Sequence, residues 1–179
     1  MKIRDLSKPL SVENIEFRVD NVIKGRENRI YAQILAYKDA RADMRIADEV
    51  LGPENWQCNF VRDSQTSMIC NIGVKVDGEW VWKAYNGSAS NFESDKGTAS
   101  DAFKRAWFMW GIGRNLYSFP SIFVELFEGE YYEKDGKIFA SRSLRPQDWK
   151  WKVEYDSTGT PISIEASYKG NNRYNFKQK

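Results

Sequence analysis

The chain has 179 residues, 41% of them hydrophobic and 15% aromatic, with 27 Lys and Arg against 25 Asp and Glu for a net charge of +2. That length and apolar content exclude an intrinsically disordered chain and fit one folded unit with a real core. The near balance of charge excludes any argument for nucleic acid from overall basicity, so a nucleic-acid role requires cations gathered on one face. Local charge is uneven: residues 96–114 hold Lys96, Lys104, Arg105 and Arg114 against Asp101, whereas residues 125–135 hold four Glu and Asp135 against Lys134. The last eleven residues carry Lys169, Arg173, Lys177 and Lys179 with no acid.

Histidine is absent, which removes the commonest general base and the commonest metal ligand. Cys58 and Cys70 lack zinc spacing and cannot form a disulfide framework, which points to a reducing compartment. No run approaches the roughly 20 apolar residues of a membrane span, and the N-terminus has no signal-peptide core, so a soluble cytoplasmic protein without membrane partners is expected. Gly111-Ile112-Gly113-Arg114 lacks the Gly-Lys-Ser/Thr ending of a phosphate-binding loop, which disfavours an ATP-driven motor.

Taken in order, Ser11 is a candidate cap for a short helix with Val12, Ile15 and Val19 on one side. Residues 29–38 mix β-formers with Ala and Gln, for which a strand is preferred and a helix stays open. Asp39 then caps a three-turn helix in which Ala40, Met44, Ala47 and Leu51 recur at helical spacing, Arg41 and Arg45 share a flank, and Gly52-Pro53 closes the element. In residues 67–76 the period becomes two, and Asp77-Gly78 reads as a type I′ turn. That turn pairs Val76 with Glu79, Val74 with Val81 and Ile72 with Lys83 on a side expected to be core. It pairs Lys75 with Trp80 and Gly73 with Trp82 on the other side, which is either a platform for a helix or a wet binding surface.

A helix is predicted from near Thr98, with Thr98 and Asp101 at capping-box spacing, to a stop at Gly111. Its apolar stripe is Ala99, Ala102, Phe103, Ala106 and Trp110 with Trp107 beside it, and its opposite face carries Asp101, Lys104, Arg105 and Phe108. Lys104 is the expected partner of Asp101, and Arg105 is expected to find one elsewhere. Beyond Pro120 the pattern is antiparallel strand, with turns at Asp135-Gly136 and near Gly159, and a polar, basic tail past Gly170 expected to be mobile.

Three stretches together are similar to one known family: LSVENIEFR at residues 10–18, YKDARADMRIADEVLGPENW at 37–56, and KGTASDAFKRAWFMWGIGRNLY at 96–117. They resemble, in the same order, the single-strand annealing proteins of the Rad fifty-two type, a family shared by phage recombination proteins and eukaryotic repair mediators. The resemblance covers residues 10–118 and implies an α+β fold: an antiparallel sheet with a long helix packed across it, in subunits that assemble into a homo-oligomeric ring. A core at residues 1–118 is expected, and the strand pattern beyond Pro120, where no resemblance extends, is expected to form a strand-rich C-terminal extension of the same domain at 119–179. The implied function is binding and annealing of single-stranded DNA without ATP, metal or any other cofactor and without a catalytic residue. An exonuclease or a single-strand binding protein would be its natural partner, in the host cytoplasm if the chain is phage-encoded.

Annealing requires phosphates to be gripped and bases left free to pair, so Lys and Arg are the expected contacts. By resemblance, Lys104 and Arg105 match the family's basic pair, and Arg41 matches a basic residue at the start of its helix, with Arg45 one turn on. Lys96 and Arg114 belong to the same basic stretch, and Lys75 and Lys83 are candidates for a second, outer strand-binding surface. Phe108 stands where a further basic residue is expected, so it either stacks on a base, worth about 1–3 kcal/mol, or packs against a neighbouring subunit. Rival readings are surface pairing of Arg41 and Arg45 with Asp48 or Glu49, and an oligomeric scaffold without DNA activity. A metal-dependent nuclease built on Asp135-Gly-Lys137 or Asp148-Trp-Lys150 is the remaining rival.

Overall fold

The structure, a computed structural model, describes residues 3–88 and 95–178, with the side chains of residues 88, 95 and 96 outside the description. Among these residues the fold is α+β, with antiparallel sheets and two α-helices. The first half runs β1 (Glu16–Lys24), β2 (Ile30–Tyr37), α1 (Ala40–Leu51), β3 (Trp56–Arg62), β4 (Ser67–Val76), β5 (Glu79–Ser88) and α2 (Asp95–Trp110). There follow β6 (Ile122–Leu126), β7 (Tyr131–Lys134), β8 (Lys137–Ala140), β9 (Lys150–Tyr155), β10 (Pro161–Tyr168) and β11 (Asn171–Lys177). Two compact units result: Met1–Leu10 with Lys38–Arg114, and Ser11–Tyr37 with Asn115–Lys179. No helix among the described residues is long and apolar enough to cross a membrane.

In the first unit the sheet order is β3-β4-β5. The β4–β5 register is the one expected, Val74 opposite Val81 and Gly73 opposite Trp82, because Asp77 and Gly78 both adopt the positive φ of a type I′ turn, 50° and 92°. On the face carrying Cys70, Ile72 and Val74 the sheet receives Ala102, Phe103, Ala106, Trp107 and Trp110 of α2, all buried. Trp56 and Phe60 of β3 close that layer against Phe103, at ring-centroid distances of 6.3 and 6.5 Å. The Trp110 indole N–H donates to the Ile72 carbonyl at 3.1 Å, which satisfies the one polar group of a buried ring.

Two helix expectations in this unit are corrected. Helix α2 starts at Asp95 rather than near Thr98, and Thr98 lies buried inside it instead of capping it. In α1 the Asp39 carboxylate does cap, accepting from the Ala42 amide at 2.7 Å. The buried side, however, is Ala42, Asp43, Ala47 and Leu51, and Met44 is exposed. Ala47 and Leu51 are buried as expected, but Asp43 rather than Met44 takes the core position one turn before Ala47.

The second unit holds the sheets β1-β2-β6 and β11-β10-β9 and the hairpin β7-β8. The helix expected after Ser11 is instead a single 3-10 turn at Val12–Asn14, to which Ser11 contributes no side-chain cap, followed directly by β1. Ile15 and Phe17 are buried two residues apart, and the Phe17 ring stacks on Trp151 at 3.8 Å. That two-residue period overrides the weaker helical one.

The tail past Gly170 is likewise ordered: β11 pairs with β10, Ile164 opposite Phe176. Arg173 supplies the reason. Its guanidinium holds both carboxylate oxygens of Glu130, at 2.6 and 2.9 Å, and lies 4.7 Å from the centre of the Trp149 ring. The side chain is only 8% exposed, so Arg173 of the basic tail and Glu130 of the acidic stretch neutralise each other inside the unit. Burial would push the Glu130 carboxyl up, but hydrogen bonds from Arg173 and the Phe127 amide outweigh it and hold the group below its usual range. A depressed carboxylate contributes stability at neutral pH that is lost as pH falls through its folded value. Arg173→Ala is expected to cost about 3 kcal/mol in urea unfolding at pH 7, the scale of an uncompensated buried charge, with the loss shrinking in acid as Glu130 protonates.

Candidate nucleic-acid interface

Because the apolar stripe of α2 is taken by the sheet, its remaining arc presents Asp101, Lys104, Arg105 and Phe108. Arg105 is 44% exposed, and its Nε donates to Asp101 at 2.8 Å. This reverses the expected pairing: Asp101 stands one turn before Arg105, at the i,i+4 spacing a long guanidinium side chain spans. A pair this exposed is worth about 0.2–1 kcal/mol, small enough for a phosphate to displace the carboxylate. The Arg105 guanidinium carbon also lies 5.9 Å from the centre of the Tyr85 ring, so the cation is steered along the surface by β5.

Arg41 and Arg45 are exposed on successive turns of α1. Asp48, one of the acids they were weighed against, accepts a hydrogen bond from the Trp56 indole at 2.7 Å. Lys83 and Arg114 converge on the C-terminus of α2. Lys83 Nζ donates to the Met109 carbonyl at 2.9 Å, while Arg114 donates to the carbonyls of Phe108 and Met109 at 2.6 and 2.7 Å. Two cations at the negative end of a helix dipole are a structural cap. Burial, and then the Arg114 charge, lower the Lys83 pKa. Lys75 is exposed on the opposite face of the sheet, across from Trp80, so Lys75 and Lys83 do not share a surface. On Lys75's side Trp80 and Trp82 are 40% and 44% exposed, and Trp82 lies over Gly73, three ring atoms standing 3.0 Å from where a Cβ would be. Lys96 falls outside the described side chains. Of the acid-x-Lys pairs, Asp135 occupies the β7–β8 turn at φ 52° and Asp148 is bound by Arg145 at 2.7 Å.

Sequence reasoning missed the pair beneath this face. Lys38, the residue before the α1 cap, is paired with Asp43, and their side chains are 1% and 0% exposed. Lys38 Nζ also donates to the Lys104 carbonyl at 3.1 Å and lies 4.3 Å from the centre of the Phe108 ring. One buried ammonium thus touches two of the candidate residues on α2. The signal becomes readable only once the buried face of α1 is known: an acid in register with Ala47 and Leu51 on that face requires a cation.

Burial lowers the Lys38 pKa to about 8, against the attraction of Asp43. Burial raises Asp43 to about 7, against the attraction of Lys38, and its second oxygen finds no hydrogen bond among the described residues. A raised carboxylate favours folding in acid and loses that contribution as pH rises through the folded value. A depressed ammonium favours folding in alkali and loses it as pH falls through the folded value. Both contributions are therefore at their smallest between about pH 7 and pH 8. Replacing both with apolar residues, Lys38→Met and Asp43→Leu, is expected to raise the unfolding free energy at pH 7.5 by about 1–4 kcal/mol, whereas either change alone costs about 3–5 kcal/mol. Urea titrations across pH 5 to 9, over which the double variant should show a flatter profile, measure both.

Comparison of the sequence with curated proteins finds no match. Residues 2–126 match the family described as Rad52/22 family double-strand break repair protein, a span that includes α1, the β4–β5 hairpin and all of α2. Matched over more than two thirds of its length, and through the whole of the basic helix face, the chain belongs to the Rad52/22 family of double-strand break repair proteins.

Proposed function

We propose that this protein binds single-stranded DNA and anneals complementary strands in recombinational repair, without ATP and without acting as an enzyme. The observation that carries the reading is the divided helix α2: its apolar side is buried on the sheet, while Lys104 and Arg105 lie on the opposite side, inside the stretch matched to the repair family. Lys104 and Arg105 contact phosphates, assisted by Arg41 and Arg45 on α1. Such contacts grip the strand without reading its sequence, which leaves base edges free for a complementary strand. Phe108, part-buried against Lys38, lies one turn beyond Lys104 on the same face of the helix. Lys75 lies on the far face of the sheet and Lys83 and Arg114 at the C-terminus of α2, so these three take lesser parts.

Residues 1–118 form the annealing core, with α2 lying across the sheet, and residues 119–179 extend it. The active species is a homo-oligomeric ring in the cytoplasm, where one protomer's cations continue into the next and give a track longer than one chain supplies. An exonuclease or a single-strand binding protein delivers the strand.

Replacing Lys104 and Arg105 with Ala is expected to weaken binding of a labelled oligonucleotide. The slope of log affinity against log salt should flatten by about 0.7 for each single-strand phosphate that the variant no longer neutralises. An unchanged slope in a folded double variant argues against the helix face. Light scattering is expected to report a particle several times the 20.8 kDa chain mass. A monomer at micromolar concentration argues against the ring.

A further inference from the structure

We infer that Lys38 and Asp43 are positioning residues for the strand-binding face, fixing the Lys104 turn of α2 and the Phe108 ring in the orientation that grips DNA. The inference rests on the reading of α2 proposed above and extends it to two residues buried beneath that face. Among the described residues three groups meet the Lys38 ammonium: the Asp43 carboxylate on α1, the Lys104 carbonyl at 3.1 Å and the Phe108 ring at 4.3 Å. In an α-helix the carbonyl of residue 104 is also the acceptor for the amide of residue 108, so Lys38 binds the turn that joins the two candidate contacts.

The surroundings are shaped to admit this side chain. Gly113, in the turn after α2, adopts φ +80°, and a Cβ there would stand 2.7 Å from Lys38 Cδ and 2.9 Å from Cε. The same Cβ would stand 3.2 Å from Phe108. The lysine stem therefore passes through space that only a glycine leaves open. Stability does not explain the arrangement, because a buried ion pair is commonly no better than an apolar pair of equal volume. An apolar pair would lack direction. A hydrogen bond to a carbonyl and a cation over a ring both set orientation, whereas methyl groups leave it loose.

The test uses the full-length protein and a fluorescent oligothymidylate. Lys38→Met/Asp43→Leu is expected to fold at least as stably as the parent and to assemble as it does, checked by urea unfolding and light scattering, and to raise the Kd for the oligonucleotide about tenfold, the size of coupling seen between residues in contact. The same exchange made in a Lys104→Ala/Phe108→Ala background is expected to change Kd by no more than about twofold, because the residues it positions are gone. Should the leucine fail to pack, Lys38→Met/Asp43→Asn is used, with the same two expectations. Parental affinity in the folded pair variant overturns the inference. A full loss that persists in the Lys104→Ala/Phe108→Ala background overturns it as well, since the effect would then be general. If Lys104→Ala/Arg105→Ala alone leaves binding untouched, the reading of α2 falls and this inference falls with it, an outcome recognisable because the pair variant is not needed to reach it.

Discussion

An amphipathic helix divides its surface once, and what it gives to the core it cannot give to a ligand. Over the 16 residues of α2, two Trp, one Phe and two Ala are buried, and that burial is the principal favourable term holding the helix to the β3–β4–β5 sheet. The charged residues Asp101, Lys104 and Arg105 are thereby confined to the opposite arc. The proposed function depends on this division more than on any single cation, because it converts a sequence of mixed residues into one charged strip. The two cations at the C-terminus of α2, Lys83 and Arg114, hold the end of that strip in place.

A nearly neutral chain becomes locally charged by deciding which of its ions are neutralised at home. Arg173 is fully engaged by Glu130 between aromatic rings. Lys38 and Asp43 cancel inside the first unit. The ion pair of Arg105 with Asp101 is instead an exposed one, a bond whose small net worth makes exchange for a phosphate feasible. The same side-chain chemistry therefore serves stability where it is buried, and under the proposed function it serves recognition where it is exposed. The buried pair under α2 belongs to neither class, since it adds little to stability and carries no exposed charge; its distinguishing property is directional contact with the Lys104 turn.

Much of the local structure was legible in the residues. Asp39 and Gly52 bracket α1, and Asp77-Gly78 sets the β4–β5 register, because caps and tight turns are decided by a few neighbouring atoms. The basic pair Lys104-Arg105 was legible for a similar reason: once the apolar stripe of α2 is assigned, the opposite face follows from helix geometry. The failures share a different cause. Ser11 suggested a helix, but Phe17 had a stacking partner 134 residues away at Trp151. The basic tail suggested mobility, but Arg173 had an acid and two rings waiting in the second unit.

By itself the sequence determined which segments are periodic and how they turn, and it carried the family's three-block pattern, since those properties depend on residues within a few positions of one another. Only the tertiary structure decided that Asp43 faces inward, that Lys38 is its partner, and that Arg173 meets Glu130 and the Trp149 ring. Each of these is a choice between partners of similar intrinsic strength, settled by which groups packing excludes from water. Distance along the chain carries no information about that exclusion, so Lys38 and Asp43, unremarkable as letters, become visible as a buried pair only when the helix above them is in place.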